Sequence, residues 1–112
     1  MNKKKQIRSK FRNDSFKRDG YRCRVCKKPA PPETAEEILD CHHITPRENM
    51  PNGGYVKENG ISLCKGEDGT SCHEKAEMWL SGESEPEGYS PEELYNLIGS
   101  SKEKAHQASL LL

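Results

Sequence analysis

With 112 residues, the chain has room for one small domain. Only 31% of residues are hydrophobic and mean hydropathy is −1.02, which excludes a large apolar core and calls for a staple such as a metal or a disulfide set. The formal net charge of +0 conceals a split: residues 1–28 carry twelve Lys/Arg against two Asp/Glu, and residues 29–112 carry six against sixteen.

Residues 1–20 form a basic arm, within which "QIRSKFRNDSFKR" (6–18) predicts a short helix with Ile7, Phe11 and Phe16 turned inward. A basic head on a neutral chain fits a polyanion partner, and Arg8, Lys10, Arg12, Lys17 and Arg18 are candidates for phosphate contacts. The plainer alternatives are an arm folded back on the acidic body and an unstructured tail. Asp19-Gly20 is a helix-stop signal, and "YRCRVCKKP" after it predicts a tight cysteine knuckle. "APPETAEE" (30–37) is expected to be an acidic connector with little structure of its own. "EILDCHHI" (37–44) alternates as a strand does and Pro46 ends it. The turn-rich stretch 46–60 predicts a long loop, of a length that in compact domains is often functional. "ISLC" (61–64) reads as a second strand, and residues 72–82 as a helix capped by Thr70 or Ser71 and stopped at Gly82. Residues 83–112 are expected to be a linker and a helical tail. Ser90, Pro91 and Glu93 specify a helix start there, with Leu94, Leu97 and Ile98 as its apolar stripe, while 101–112 either forms a further helix or frays.

Five cysteines need a compartment. No apolar run approaches the roughly 18 residues that span a bilayer, and "MNKKKQIRSK" lacks the apolar stretch of a secretion signal. A reducing cytoplasm is therefore expected, where cysteines serve as metal ligands rather than disulfides. Cys23 and Cys26 stand at knuckle spacing, and Cys64 and Cys72 bracket a seven-residue turn, wider than the usual gap. Four thiolates in two pairs match a tetrahedral structural Zn²⁺ site. A redox role for Cys-Arg-Val-Cys lacks the strand-to-helix setting that such chemistry uses. Cys41 is left as a small buried residue, and His106 as a surface residue.

"LDCHHI", then Asn59 in "ENGISLC", then His73 in "CHEKAE" resemble the His–Asn–His signature of HNH endonucleases, over a stretch from about Phe16 to Trp79. The resemblance implies an α+β fold of the ββα-metal (His-Me finger) type: two strands joined by an extended loop, packed on one helix, with a divalent ion between hairpin and helix. The zinc-stapled domain would run from residue 21 to 82. His43 would fall at the general-base position, His42 and His73 at metal-ligand positions, and Asn59 would hold the loop. Mg²⁺ or Mn²⁺ would be the catalytic ion, DNA the partner, and the setting a phage, a mobile element or a host defence system.

The residues suit these roles on their own terms. An imidazole titrates near neutrality and can take a proton from water, and a cation neutralises charge building on a phosphate. Glu77, four residues after His73, shares its helical face and is a candidate third ligand, or else an ordinary solvated carboxylate. Arg47 is within reach of a phosphate, or is a plain loop arginine. One difficulty stands: consecutive strand residues point to opposite faces, so His42 and His43 cannot both aim at one metal from a regular strand. The competing expectation is a zinc-stabilised nucleic-acid-binding module without chemistry, which has no need of His42, Asn59 and His73 in that order. The tail from Pro91 is free to dock on the core, to form a homodimer or to bind another protein.

Overall fold

A computed structural model describes residues 2–112. Helix α1 (Lys3–Arg18) starts where the Asn2 side chain accepts a hydrogen bond from the Lys5 amide at 2.8 Å, satisfying one of the free N–H groups of the first turn. It buries Phe11, Ser15 and Phe16 and half-buries Ile7 on the same side, so its stability comes from packing along that face. Asp19 ends it. The buried Asp19 carboxylate accepts from Arg18 (2.8 Å) and from the Ser62 amide (2.9 Å), tying the helix end to the second strand.

Residues 30–37 differ from the expected structureless connector. Pro32–Thr34 form a 3-10 turn and Ala35–Ile38 one turn of helix, α2, because Ala35 is buried in the core and Pro32 takes the first helical position, where it needs no donor. Strand β1 (Leu39–His43) therefore begins two residues later than the alternation suggested. It pairs antiparallel with β2 (Gly60–Cys64), with His42 opposite Ile61 and His43 opposite Gly60. The connecting loop is broken into 3-10 turns at Arg47–Asn49, Pro51–Gly54 and Lys57–Asn59.

Helix α3 (Cys72–Ser81) has a complete capping box: the Ser71 side chain accepts from the Glu74 amide, and the Glu74 carboxylate accepts from the Ser71 amide. Gly82, left-handed at φ 78°, ends it. Helix α4 (Pro91–Leu97) repeats the box with Ser90 and Glu93, and the last residues form a true helix, α5 (Lys102–Leu110), capped by Ser101. The tail is docked. Leu94, Tyr95 and Ala105 belong to the same buried cluster as Phe16, Leu39 and Ile61, and Arg24 of the knuckle donates to the Leu97 carbonyl. The radius of gyration, 13.2 Å, is that of one packed body of this length, about 13 Å. Among the described residues, no helix is long and apolar enough to cross a membrane.

Candidate active site

The alternation of β1 divides its residues between two neighbours. Asp40 and His42 face α3, and Cys41 and His43 face α1. Both histidines nevertheless line one open cleft of about 470 Å³, with Pro46, Arg47 and Glu48 from the loop and His73 and Glu77 from α3. The expected conflict between the two histidines is met by different targets.

His42 is 2% exposed, and neither of its ring nitrogens has a hydrogen-bond partner. Its Nδ1 lies 3.5 Å from Glu77 Oε1, a contact of charge rather than a hydrogen bond. The same Glu77 oxygen is 3.0 Å from His73 Nε2, while His73 Nδ1 is 2.7 Å from Asp40 Oδ2. One ligand atom from each of His42, His73 and Glu77 lies within 4.8 Å of the others. A buried imidazole with both nitrogens unsatisfied is costly, and a cation held by this N,N,O set would supply the missing counterpart. The residues fit a divalent ion. Burial holds His42 below the usual imidazole value, against the pull of the Glu77 carboxylate. Burial also opposes charge on His73, but the hydrogen bond and charge of Asp40, reinforced by Glu77, outweigh it and raise the pKa.

His43 sits in an aromatic cleft of its own. Its ring is 4.6 Å from Phe11 and 4.6 Å from Tyr55, the latter edge-on at 89°. Burial pushes it down to about 4, helped by the nearby His42 and opposed by a hydrogen bond with the Gly53 backbone. It is therefore neutral at pH 7 and able to accept a proton. The Arg8 guanidinium lies over the Tyr55 ring at 5.3 Å, and Arg47 Nη1 reaches the Tyr55 hydroxyl at 3.5 Å. Two cationic side chains thus flank the ring that packs against His43.

Asn59 is wholly buried between the strand ends and the loop. Its Oδ1 accepts from the Thr45 amide (3.0 Å) and the Tyr95 hydroxyl (2.7 Å), and its Nδ2 donates to the carbonyls of Thr45 (3.0 Å) and Gly54 (3.2 Å). Gly54 has φ 66°, and a Cβ there would stand 2.7 Å from Asn59 Nδ2, so the position requires glycine twice over.

The remaining basic residues have varied surroundings. Lys10 pairs with Asp14 at 2.8 Å and Arg12 with Glu36 at 3.3 Å, while Lys17 is exposed. Arg18 donates inward to the carbonyls of Lys57 (2.6 Å) and Gly60 (2.7 Å). Arg8 and Arg47 are the members of the basic set that contact Tyr55 beside His43.

The four other cysteines converge at the far end of the hairpin. Zn–S bonds of about 2.3 Å give a tetrahedron with edges of about 3.8 Å. The Cys26 and Cys64 sulfurs are 3.7 Å apart, and one sulfur from each of Cys23, Cys26, Cys64 and Cys72 lies within 4.8 Å of the rest. This cluster has the geometry to hold zinc. The two thiols are coupled: the neighbouring Cys72 sulfur draws Cys23 down, and Cys23 drives Cys72 up. Cys41 lies apart, its thiol pushed up to about 12 by burial.

Three residues of the site escaped sequence reasoning. Asp40 carried a signal, since it stands two positions before His42 on an alternating strand. Tyr55 was hidden among turn residues, and Tyr95 had no signal beyond its neighbour Leu94 on the apolar stripe.

A family model described as HNH endonuclease matches residues 23–77. No curated protein and no solved structure matches the chain. The matched span opens on the first cysteine of the knuckle and closes on Glu77, so it takes in both candidate metal sites and leaves α1, α4 and α5 outside.

Proposed function

The chain belongs to the HNH endonuclease family through residues 23–77, and from that premise we propose that it hydrolyses phosphodiester bonds in DNA, nicking one strand per active site. The observation that carries this reading is the convergence of His42, unpartnered at both nitrogens, with His73 and Glu77 on the cleft that His43 also lines.

His42, His73 and Glu77 would hold a divalent ion, Mg²⁺ or Mn²⁺, at the cleft. When bound, that ion supplies positive charge against the scissile phosphate and the leaving oxygen. His43 takes a proton from water as the water oxygen bonds to phosphorus and the opposite P–O bond breaks. The leaving oxygen departs with the bond pair and is then protonated from solvent. A base held down to about 4 is neutral but weak. The negative charge of a docked phosphate raises it toward neutrality, where proton transfer is more efficient. Arg8 and Arg47 flank that position and would bind phosphates beside the one attacked. Asn59 holds the loop to the strand from which His43 projects. The four-cysteine cluster would hold a structural zinc that has no part in the reaction.

Purified protein with Mg²⁺ or Mn²⁺ is expected to convert supercoiled plasmid to nicked circles. His43→Ala is expected to stop this without releasing zinc. Wild-type protein that leaves plasmid, single strands and branched DNA uncut in every common divalent metal would instead be a binding module.

A further inference from the structure

Asn59 makes the tie between loop and strand, and one of the four hydrogen bonds of its side chain comes from outside the family-matched span. The donor is Tyr95, buried in α4. The direction of each proton can be assigned. Asn59 Oδ1 only accepts, so the Tyr95 hydroxyl, 2.7 Å away, donates to it. That uses the one proton Tyr95 has. The Thr45 hydroxyl, 2.7 Å from Tyr95 Oη, must then donate to Tyr95. The result is a single file running from the Thr45 hydroxyl through Tyr95 to the Asn59 amide, each group oriented by the next.

Both residues that follow His43 are fastened to Asn59. The Ile44 amide donates to the Asn59 carbonyl at 2.9 Å, and the backbone of Thr45 bonds to both ends of the Asn59 side chain. The Tyr95 hydroxyl touches both partners of that joint at once.

We propose that Tyr95 is a positioning residue for cleavage. It fixes the Asn59 amide and the Thr45 side chain together, and through them the backbone that aims His43 into the cleft. The role rests on the nuclease reading above. It also gives the docked tail a purpose in the site itself, since α4 contributes a group that the matched domain lacks.

The test compares wild type, Tyr95→Phe and the double variant Tyr95→Phe/Thr45→Val in single-turnover plasmid nicking at saturating metal, alongside melting temperature. Phenylalanine fills the same space and removes one hydroxyl. The rate is expected to fall about tenfold, with the DNA concentration for half-maximal rate unchanged. In Tyr95→Phe the buried Thr45 hydroxyl has lost its acceptor, which also lowers the melting temperature. Thr45→Val removes that orphan, so the double variant should regain stability. It should not regain rate, because Asn59 Oδ1 still lacks its second donor. Wild-type cleavage by Tyr95→Phe, or recovery of rate together with stability in the double variant, overturns the proposal.

Should the wild-type chain cut no DNA, the nuclease reading fails on its own. Positioning is then decided without substrate, by hydrogen exchange of the Thr45 amide. Faster exchange in the stability-matched double variant than in wild type supports a loosened joint, and unchanged exchange refutes it.

Discussion

Asp40 determines which nitrogen of His73 faces the cleft. Its Oδ2 lies 2.7 Å from Nδ1, so Nδ1 keeps its proton and Nε2 keeps the lone pair that a metal needs. The same carboxylate has an opposite effect, because it raises the pKa of His73 and makes a metal compete harder with a proton. Asp40→Ala separates the two. At about pH 8.5, roughly two units above the ordinary imidazole value, proton competition counts least, lost orientation dominates, and Mn²⁺ affinity should fall about 10–100-fold. At about pH 6 the proton that Asp40 helps His73 to hold competes with the metal in the wild type, whereas without Asp40 only Glu77 opposes burial and that competition weakens. The deficit should therefore narrow as pH falls, as read by titration calorimetry of the zinc-loaded protein. An equal deficit at both pH values would mean that Asp40 does not act through His73. At this scale the sequence was informative where chemistry forces a residue type. His42, His43, Asn59 and His73 stand out by kind and order, while Asp40 acts through a partner 33 positions away that only folding brings near.

Between elements, α1 packs tightly on the hairpin at Gly60. This glycine has ordinary extended geometry, φ −117°, so it is there for want of space rather than for backbone freedom. A Cβ at Gly60 would lie 2.6 Å from Ser15 Oγ, 2.7 Å from Phe11 Cε1 and 2.9 Å from Cys41 Sγ. Gly60→Ala is expected to cost about 1–3 kcal/mol by overpacking, seen as a lower urea midpoint at unchanged slope. Since Phe11 also packs on His43, its displacement should weaken cleavage as well. An unchanged midpoint would show that α1 is not seated on the strands as described. Element ends were legible wherever a cap was encoded: Ser71 and Glu74, Ser90 and Glu93, Gly82. The stretch expected to lack structure, and the one left open between a helix and fraying, carried no such complete signal. Residues 30–37 fold because Ala30 and Ala35 are buried against the core, and 102–110 because Ala105 and Ser109 are. Small residues at such positions leave almost no trace in a hydropathy pattern.

For the molecule as a whole, the two candidate metal centres are one peptide bond apart. Cys72 belongs to the four-cysteine cluster and His73 to the cleft, and both occupy the first turn of α3. The four-cysteine cluster also receives Tyr89, whose hydroxyl is 3.2 Å from the Cys72 sulfur, so the tail, the cluster and α3 meet at one place. Zinc binding in small zinc-finger peptides is worth about 10–16 kcal/mol, as large as the whole stability of a typical domain, about 5–15 kcal/mol. A chain whose apolar residues are this few has little in reserve to replace it. Cys23→Ser, or complete chelation, is therefore expected to abolish the native amide dispersion and, with it, divalent binding at His42, His73 and Glu77, although no cleft ligand has been touched. Zinc content by mass spectrometry should fall from one ion per chain to none. Cys41→Ala is the matched control: that thiol lies against the Phe11 carbonyl, remote from the cluster, and its loss should leave zinc and dispersion in place. If the chelated chain keeps its native dispersion, the core alone holds α3 against the hairpin, and the knuckle must be explained by something other than folding.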